Sequence, residues 1–296
     1  MVGTLDAVSR LIVNADDFGL TSGVNRAVME LHEAGLLTST SLMARAGATE
    51  EAIEMAVAHP SLGVGCHVVL VDGRPALPPR EIPSLVDART GEFRATLGGF
   101  LARLFTGRIR AAEIEAEAGA QMALLKGRGV RLTHIDTHKH THIFPTVLRA
   151  VLRAGRRAGI GAVRHPFEPE WAVRASTGAP LKRTAEIASL RRLAPQCRAI
   201  LQHEGFATTD GTIAMASTGS LDAATLRSLL RQMPEGTWEL VTHPGYNDDD
   251  LARVRTRLRD SREQERRALT AIGESREIEL ISFGAIGGAN PGQDCA

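Results

Sequence analysis

The sequence has no long apolar run, few aromatic residues, little cysteine and almost no excess charge. No uninterrupted stretch of about 18 apolar residues occurs, so a membrane-spanning helix is excluded. A charged N-terminal segment followed by an apolar stretch is also missing, and no export signal is expected. The three cysteines, Cys66, Cys197 and Cys295, are odd in number and lack C-x-x-C spacing. That argues against a disulfide framework or a cysteine zinc site, and for a reducing, cytoplasmic setting. Aromatic residues reach only 4%, too few and scattered to stack bases. With 35 basic against 34 acidic residues and a net charge of +1, no global field draws the chain to nucleic acid.

What is present is 43% hydrophobic residues, enough for a core built mainly of Leu, Val, Ile and Ala. At 296 residues the chain is two ordinary domains or one barrel-sized domain. Strands are expected at 11–13, 37–43, 63–71, 130–136, 162–164, 238–242 and 278–281. Helices are expected at about 24–34, closed by Gly35, then at 50–58, 111–126, 145–157, 221–232 and 250–272. In the 111–126 helix Ile114, Ala118, Met122 and Leu125 form the apolar stripe, with Glu113, Glu115 and Glu117 largely off it. Two stretches read as substrate-shaping insertions: 72–99, rich in proline and glycine, and 166–205, less regular helical material around Pro169, Pro180 and Pro195. The repeated βα alternation without a composition break implies a single α/β domain, an irregular TIM-like barrel closed or nearly closed.

Chemistry collects at the exits of these strands. Leu11-Ile12-Val13 runs into Asn14-Ala-Asp-Asp-Phe-Gly19, and two carboxylates at the end of a buried strand are costly unless paired or bound to a metal. At a turn Asp16 and Asp17 diverge enough to take different jobs around one ion; the plainer alternative is an N-cap for the following helix. His67 lies in an apolar strand, where a satisfied core histidine is the usual finding. His243 precedes Pro244-Gly245 at another strand exit. From His134 to His142 every second residue is His or Asp, but an extended run would separate its ends by about 26 Å, far too much for one ion. A turn after Asp136 therefore lets His138 reach the ion, with His134, Asp136, His140 and His142 supporting it or lining the pocket. The arginines Arg149, Arg153, Arg156, Arg157 and Arg164 read as a solvated helix face, or as one leaning toward a membrane. Arg164 also stands among the candidate substrate-binding or supporting residues.

Asn14-Ala-Asp-Asp-Phe-Gly19, Gly65-Cys-His67, Thr133-His-Ile-Asp-Thr-His-Lys-His-Thr-His142 and Thr242-His-Pro-Gly245 resemble, in order, the blocks of the YdjC/ChbG carbohydrate deacetylases. The resemblance implies an irregular β/α barrel in which Asp17, His67 and His138 hold one divalent ion, zinc or magnesium. It further implies Asp16 as general base and His243 as general acid. Lys139 departs from the pattern, since many relatives carry a further His there. Val69-Leu-Val-Asp-Gly-Arg-Pro75 and Leu77-Pro-Pro-Arg-Glu-Ile-Pro83 look most like the hopanoid-associated, HpnK-type branch. That branch implies an N-acetylglucosaminyl lipid substrate and peripheral contact with the inner face of the membrane; a soluble chitooligosaccharide is the alternative. Two histidines with a carboxylate also describe a non-haem iron oxygenase, and a sugar-binding protein without catalysis needs only ligands. A homodimer is the default expectation for assembly.

Overall fold

The computed structural model describes residues 9–274 and 278–287; Cys295 lies outside them. Seven strands form one sheet: β1 (Ser9–Phe18), β2 (Ser39–Leu42), β3 (Gly63–Val68), β4 (Leu132–Thr137), β5 (Gly211–Ile213), β6 (Gly236–Thr242) and β7 (Ile278–Leu280). The order is β4-β3-β2-β1-β6-β5, all parallel, and β7 pairs with the first residues of β1, ahead of where β2 begins its pairing. Parallel strands need crossovers, and helices packed outside the sheet supply them. The sheet curls, and the irregular segment 162–167 bridges its two edges. Ala162 and Val163 pair beside Ile135 and Ala207, and the Thr212 amide on β5 donates to the Phe167 carbonyl. The result is an irregular TIM-like barrel. Among the described residues no helix is long and apolar enough to cross a membrane.

Local rules account for most of the elements. Thr21 caps the helix Ser22–Glu33 by accepting from the Val24 amide, and Gly35 follows it at φ +71°. Pro145 opens the helix Pro145–Arg157. Gly65 is required by packing, because a Cβ there would overlap the ring of His134 on the neighbouring strand.

Several expectations need correction. The first strand runs through the Asp pair to Phe18, where three residues and a turn were expected. The charged helix at 250–272 is broken into Asp249–Ala252 and Ser261–Ala268, followed by a 3-10 turn. β5 was not foreseen, since Gly-Thr-Ile is too short to carry a periodic signal. The helix Leu97–Phe105 begins inside the 72–99 stretch. Glu113 and Glu117 are buried on the inner face of the helix Ala111–Gly127, not held off it. Glu117 accepts from the amides of Ala76 and Leu77 at 2.7 and 3.0 Å, Glu113 from Ser84 at 2.7 Å, and Gln121 spans Val69 N–H and C=O. These side chains replace the secondary structure that the stretch after β3 lacks. They pair these backbone groups without a strand and tie the connection to the helix Ala111–Gly127.

Candidate active site

The two aspartates escape strand alternation through a bulge. Ala15 pairs with Thr40 and Phe18 with Leu42, so β1 spends one residue more than β2, and Asp17 takes φ +67°. Both carboxylates therefore turn into the barrel mouth at its C-terminal end, the usual seat of chemistry in this architecture. Thr21, not either Asp, caps the next helix, which leaves both carboxylates free of that role.

Asp17 meets two histidines. Its Oδ1 lies 3.6 Å from His67 Nε2 and 3.3 Å from His138 Nδ1, and the two nitrogens are 3.3 Å apart. Four ligands about 2.05 Å from zinc stand about 3.3 Å from one another, so this triangle matches one face of a tetrahedron with a position left for a reactant. His67 Nδ1 faces Asp136 at 2.9 Å, which turns Nε2 toward the triangle as metal-binding histidines require. Asp17 Oδ2 takes Arg262 Nη2 at 2.6 Å, leaving Oδ1 free to bind an ion. Burial raises the Asp17 carboxyl, but Arg262 and His138 outweigh it and hold it well below the carboxylate range.

Beneath the triangle Arg164 is fully buried, which overturns its place on a solvated helix face. It reaches Asp16 at 2.6 and 2.9 Å, Asp136 at 2.5 Å and Glu239 at 2.7 Å. Three carboxylates share one guanidinium, and burial pushes the Glu239 carboxyl up to about 7 against the pull of Arg164. Asp16 and Asp136 stay ionised; burial opposes this, and Arg164 overcomes it. Asp16, His67 and Asp136 also lie close enough to share an ion, but Arg164 already fills that role between the carboxylates.

His243 completes the group. Its Nε2 lies 3.8 Å from Asp16 Oδ2. On the other side the buried Glu265 accepts from the His243 amide at 2.6 Å and stands 3.6 Å from Nδ1. Burial lowers the imidazole, but Glu265, joined by Asp16 and Asp17, outweighs it and the net shift is upward.

The profile of the YdjC-like proteins matches residues 10–276. The chain belongs to the YdjC-like family. A carbohydrate deacetylase of Thermoanaerobacter pseudethanolicus is 31% identical over 260 residues, covering 88% of this chain and 90% of that protein. A mouse carbohydrate deacetylase is 31% identical over 246 residues, covering 80% and 78%. The solved structure of an Enterococcus faecalis V583 protein, named for cellobiose-phosphate cleavage, superposes with a TM-score of 0.71 at 26% identity. That match covers 94% of this chain and 98% of that one.

Not every histidine of the YdjC-like run reaches the triangle. After β4 the chain enters a 3-10 turn, His138–Ile143, with Lys139 and His140 at φ +56° and +51°. His138 alone joins Asp17 and His67. His134 lies below, stacked on Phe283 at 3.9 Å and 3.3 Å from Ser41 Oγ, and Ser41 in turn accepts from Asn14. His142 Nδ1 meets Thr137 Oγ1 at 2.7 Å, whereas the buried His140 Nδ1 has no partner. Lys139 leaves this group altogether and pairs with Asp72 at 2.9 Å, joining the run to the loop after β3. The oxygenase pattern His134-x-Asp136 thus has one member under the floor and the other held by Arg164.

Arg262, Glu265 and Glu239 escaped the sequence reading. The first two sit in the charged run expected to form the helix 250–272. Glu239 did carry a usable signal, an acid in the middle of an apolar strand.

Glu168 beside β5 gives a pH test. Burial pushes it up to about 7 from 4.5, against the amides of Ala216, Ala214 and Met215. The folded state then holds the proton longer than the unfolded one, so stability falls as pH rises from about 4.5 to about 7, by at most about 3 kcal/mol. Glu168→Gln should flatten that part of the slope in urea unfolding at pH 5 and pH 8. An unchanged slope would remove Glu168 as its source.

Proposed function

We propose that this chain is a metal-dependent N-deacetylase that hydrolyses the acetamide of an N-acetylglucosamine unit, carried on a glycosylated hopanoid lipid. The observation that carries the reading is the 3.3–3.6 Å triangle of Asp17, His67 and His138, set beside Asp16 and His243. The names of its relatives support a carbohydrate substrate. The likeness of residues 69–83 to the hopanoid-associated branch supports the lipid carrier, with 72–99 and 166–205 shaping its pocket.

An amide is a poor electrophile with a poor leaving group, so its hydrolysis needs an activated water, an oxyanion stabiliser and an acid for nitrogen. A divalent ion on Asp17, His67 and His138 supplies Lewis acidity, lowering the pKa of water and polarising the acetyl oxygen. Asp16 accepts the proton of the attacking water on Oδ2, the oxygen facing His243. Asn14 and Arg164 Nη2 donate to Oδ1 and Arg164 Nη1 to Oδ2 at 2.9 Å, fixing the carboxylate in place. His243 gives the proton on Nε2 to the departing amine as the C–N bond breaks, and Glu265 holds the ring from behind. Acetate and a free amine leave.

The test is acetate release from an N-acetylglucosaminyl lipid and from N,N′-diacetylchitobiose, with metal-stripped protein and protein reloaded with zinc or magnesium. The expected result is release from the lipid, loss on stripping and return on reloading. Turnover of diacetylchitobiose alone would replace the lipid with a soluble substrate. Release unaffected by stripping, or none from either compound, would end the metal-dependent reading.

A further inference from the structure

One surface beside the site mouth is apolar and basic at once. In the helix Leu97–Phe105 only Phe100 is buried; Leu97, Leu101 and Leu104 are half-buried, and Phe105 is 70% exposed. Arg103 and Arg108 have no carboxylate partner among the described residues, and both Arg94 and Arg108 stand close to Arg103. Partial burial and those two like charges lower the Arg103 guanidinium. Arg103 donates only to the Arg108 carbonyl, at 3.5 Å. The arginines on the helix Pro145–Arg157 behave otherwise: Arg149 and Arg156 pair with Glu204, and Arg153 and Arg157 with Glu115. Arg103 and Arg108, unlike the arginines of that helix, thus stand beside the apolar residues without a carboxylate, while Arg94 keeps Asp87 at 3.9 Å.

Its position relates it to the site. The Phe105 ring meets Phe144 edge-on at 5.4 Å, and Phe144 directly follows the turn that begins at His138. At the other end of the helix, Arg255 holds the Ala95 carbonyl and pairs with Asp72, which in turn pairs with Lys139.

We propose that this face docks the protein on an anionic lipid surface, with Phe105 entering the acyl boundary and Arg103 and Arg108 meeting headgroup phosphates. An exposed ring on an apolar helix, rimmed by cations without counter-ions, suits an interface that is greasy within and negative at its edge. Nucleic acid offers the negative charge without the apolar layer. Docking this way sets the barrel mouth beside the bilayer. It stands apart from the deacetylase reading, because membrane binding is read without turnover.

The experiment is co-sedimentation of the full chain with vesicles of phosphatidylcholine alone and of phosphatidylcholine mixed with phosphatidylglycerol. Binding to the mixed vesicles should exceed that to the neutral ones and fall with added salt. Arg103→Ala and Arg108→Ala should each weaken it about five-fold, and Phe105→Ser should weaken it too. Val57→Ser, which alters an exposed apolar residue on the helix leading into β3 at the opposite end of the barrel, should change nothing. Equal binding to both vesicle types, or full binding by Phe105→Ser and the arginine variants, would overturn the proposal. So would a self-association lost in Phe105→Ser without any vesicle binding, which would make the face a contact between copies. Unchanged acetate release from a soluble sugar, or an unchanged unfolding midpoint if no sugar is turned over, shows that the variants remain folded.

Discussion

Asp16→Asn should lower acetate release by about 10²- to 10⁴-fold, the usual range for loss of a general base. The asparagine keeps the shape and can still meet Arg164, but it cannot take a proton from water. The fold should survive, because Glu239 holds a proton near neutrality and can release it to restore the balance around Arg164. Steady-state turnover beside an unfolding curve checks both parts. Turnover within a few-fold of the parent, in a folded variant, would remove Asp16 from the proton path.

Arg164→Met should cost about 3–5 kcal/mol of stability, the usual penalty when one partner of a buried ion pair is removed. Three buried carboxylates would then face one another, with the contact of His67 Nδ1 to Asp136 as their remaining near partner. Their pKa values would rise in the folded state, so the loss should shrink as pH falls, opposite in sign to acid unfolding of a well-paired protein. Since a domain holds only about 5–15 kcal/mol in all, the variant should be visibly fragile at neutral pH. Urea midpoints at pH 5 and pH 8 measure this. A parent-like midpoint at both would mean that Arg164 is not the keystone of the network.

How much of this was legible in the sequence depends on the range of the interaction. The helix at 145–157 starts at its proline and ends where expected, and Gly35 takes the left-handed turn its position implied, because each rests on neighbouring residues. Asp16, Asp17, His67, His138 and His243 were legible because ionisable groups at strand exits are costly without a purpose. The geometry places all five at one mouth. Arg262 and Glu265 were not, since nothing local distinguishes a buried charge in an acidic and basic run from a solvated one. Their burial follows from where the chain returns after β6. The broken helix at 250–272 has the same origin: Arg262 threads past Gly245 to reach Asp17, and an unbroken helix was the only local expectation. Arg164 was misplaced on a helix face for the same reason, although its short strand was seen.

The distances along the chain carry one more consequence. Asp16 and Arg164 are 148 residues apart, and Asp17 and Arg262 are 245 apart. During synthesis the first strand emerges long before either counter-charge exists. A nascent chain that collapsed early around β1 would have to bury two carboxylates without these counter-charges. Early burial of β1 would carry that desolvation cost, so a ribosome-stalled fragment ending before residue 262 should keep its first strand open to proteases.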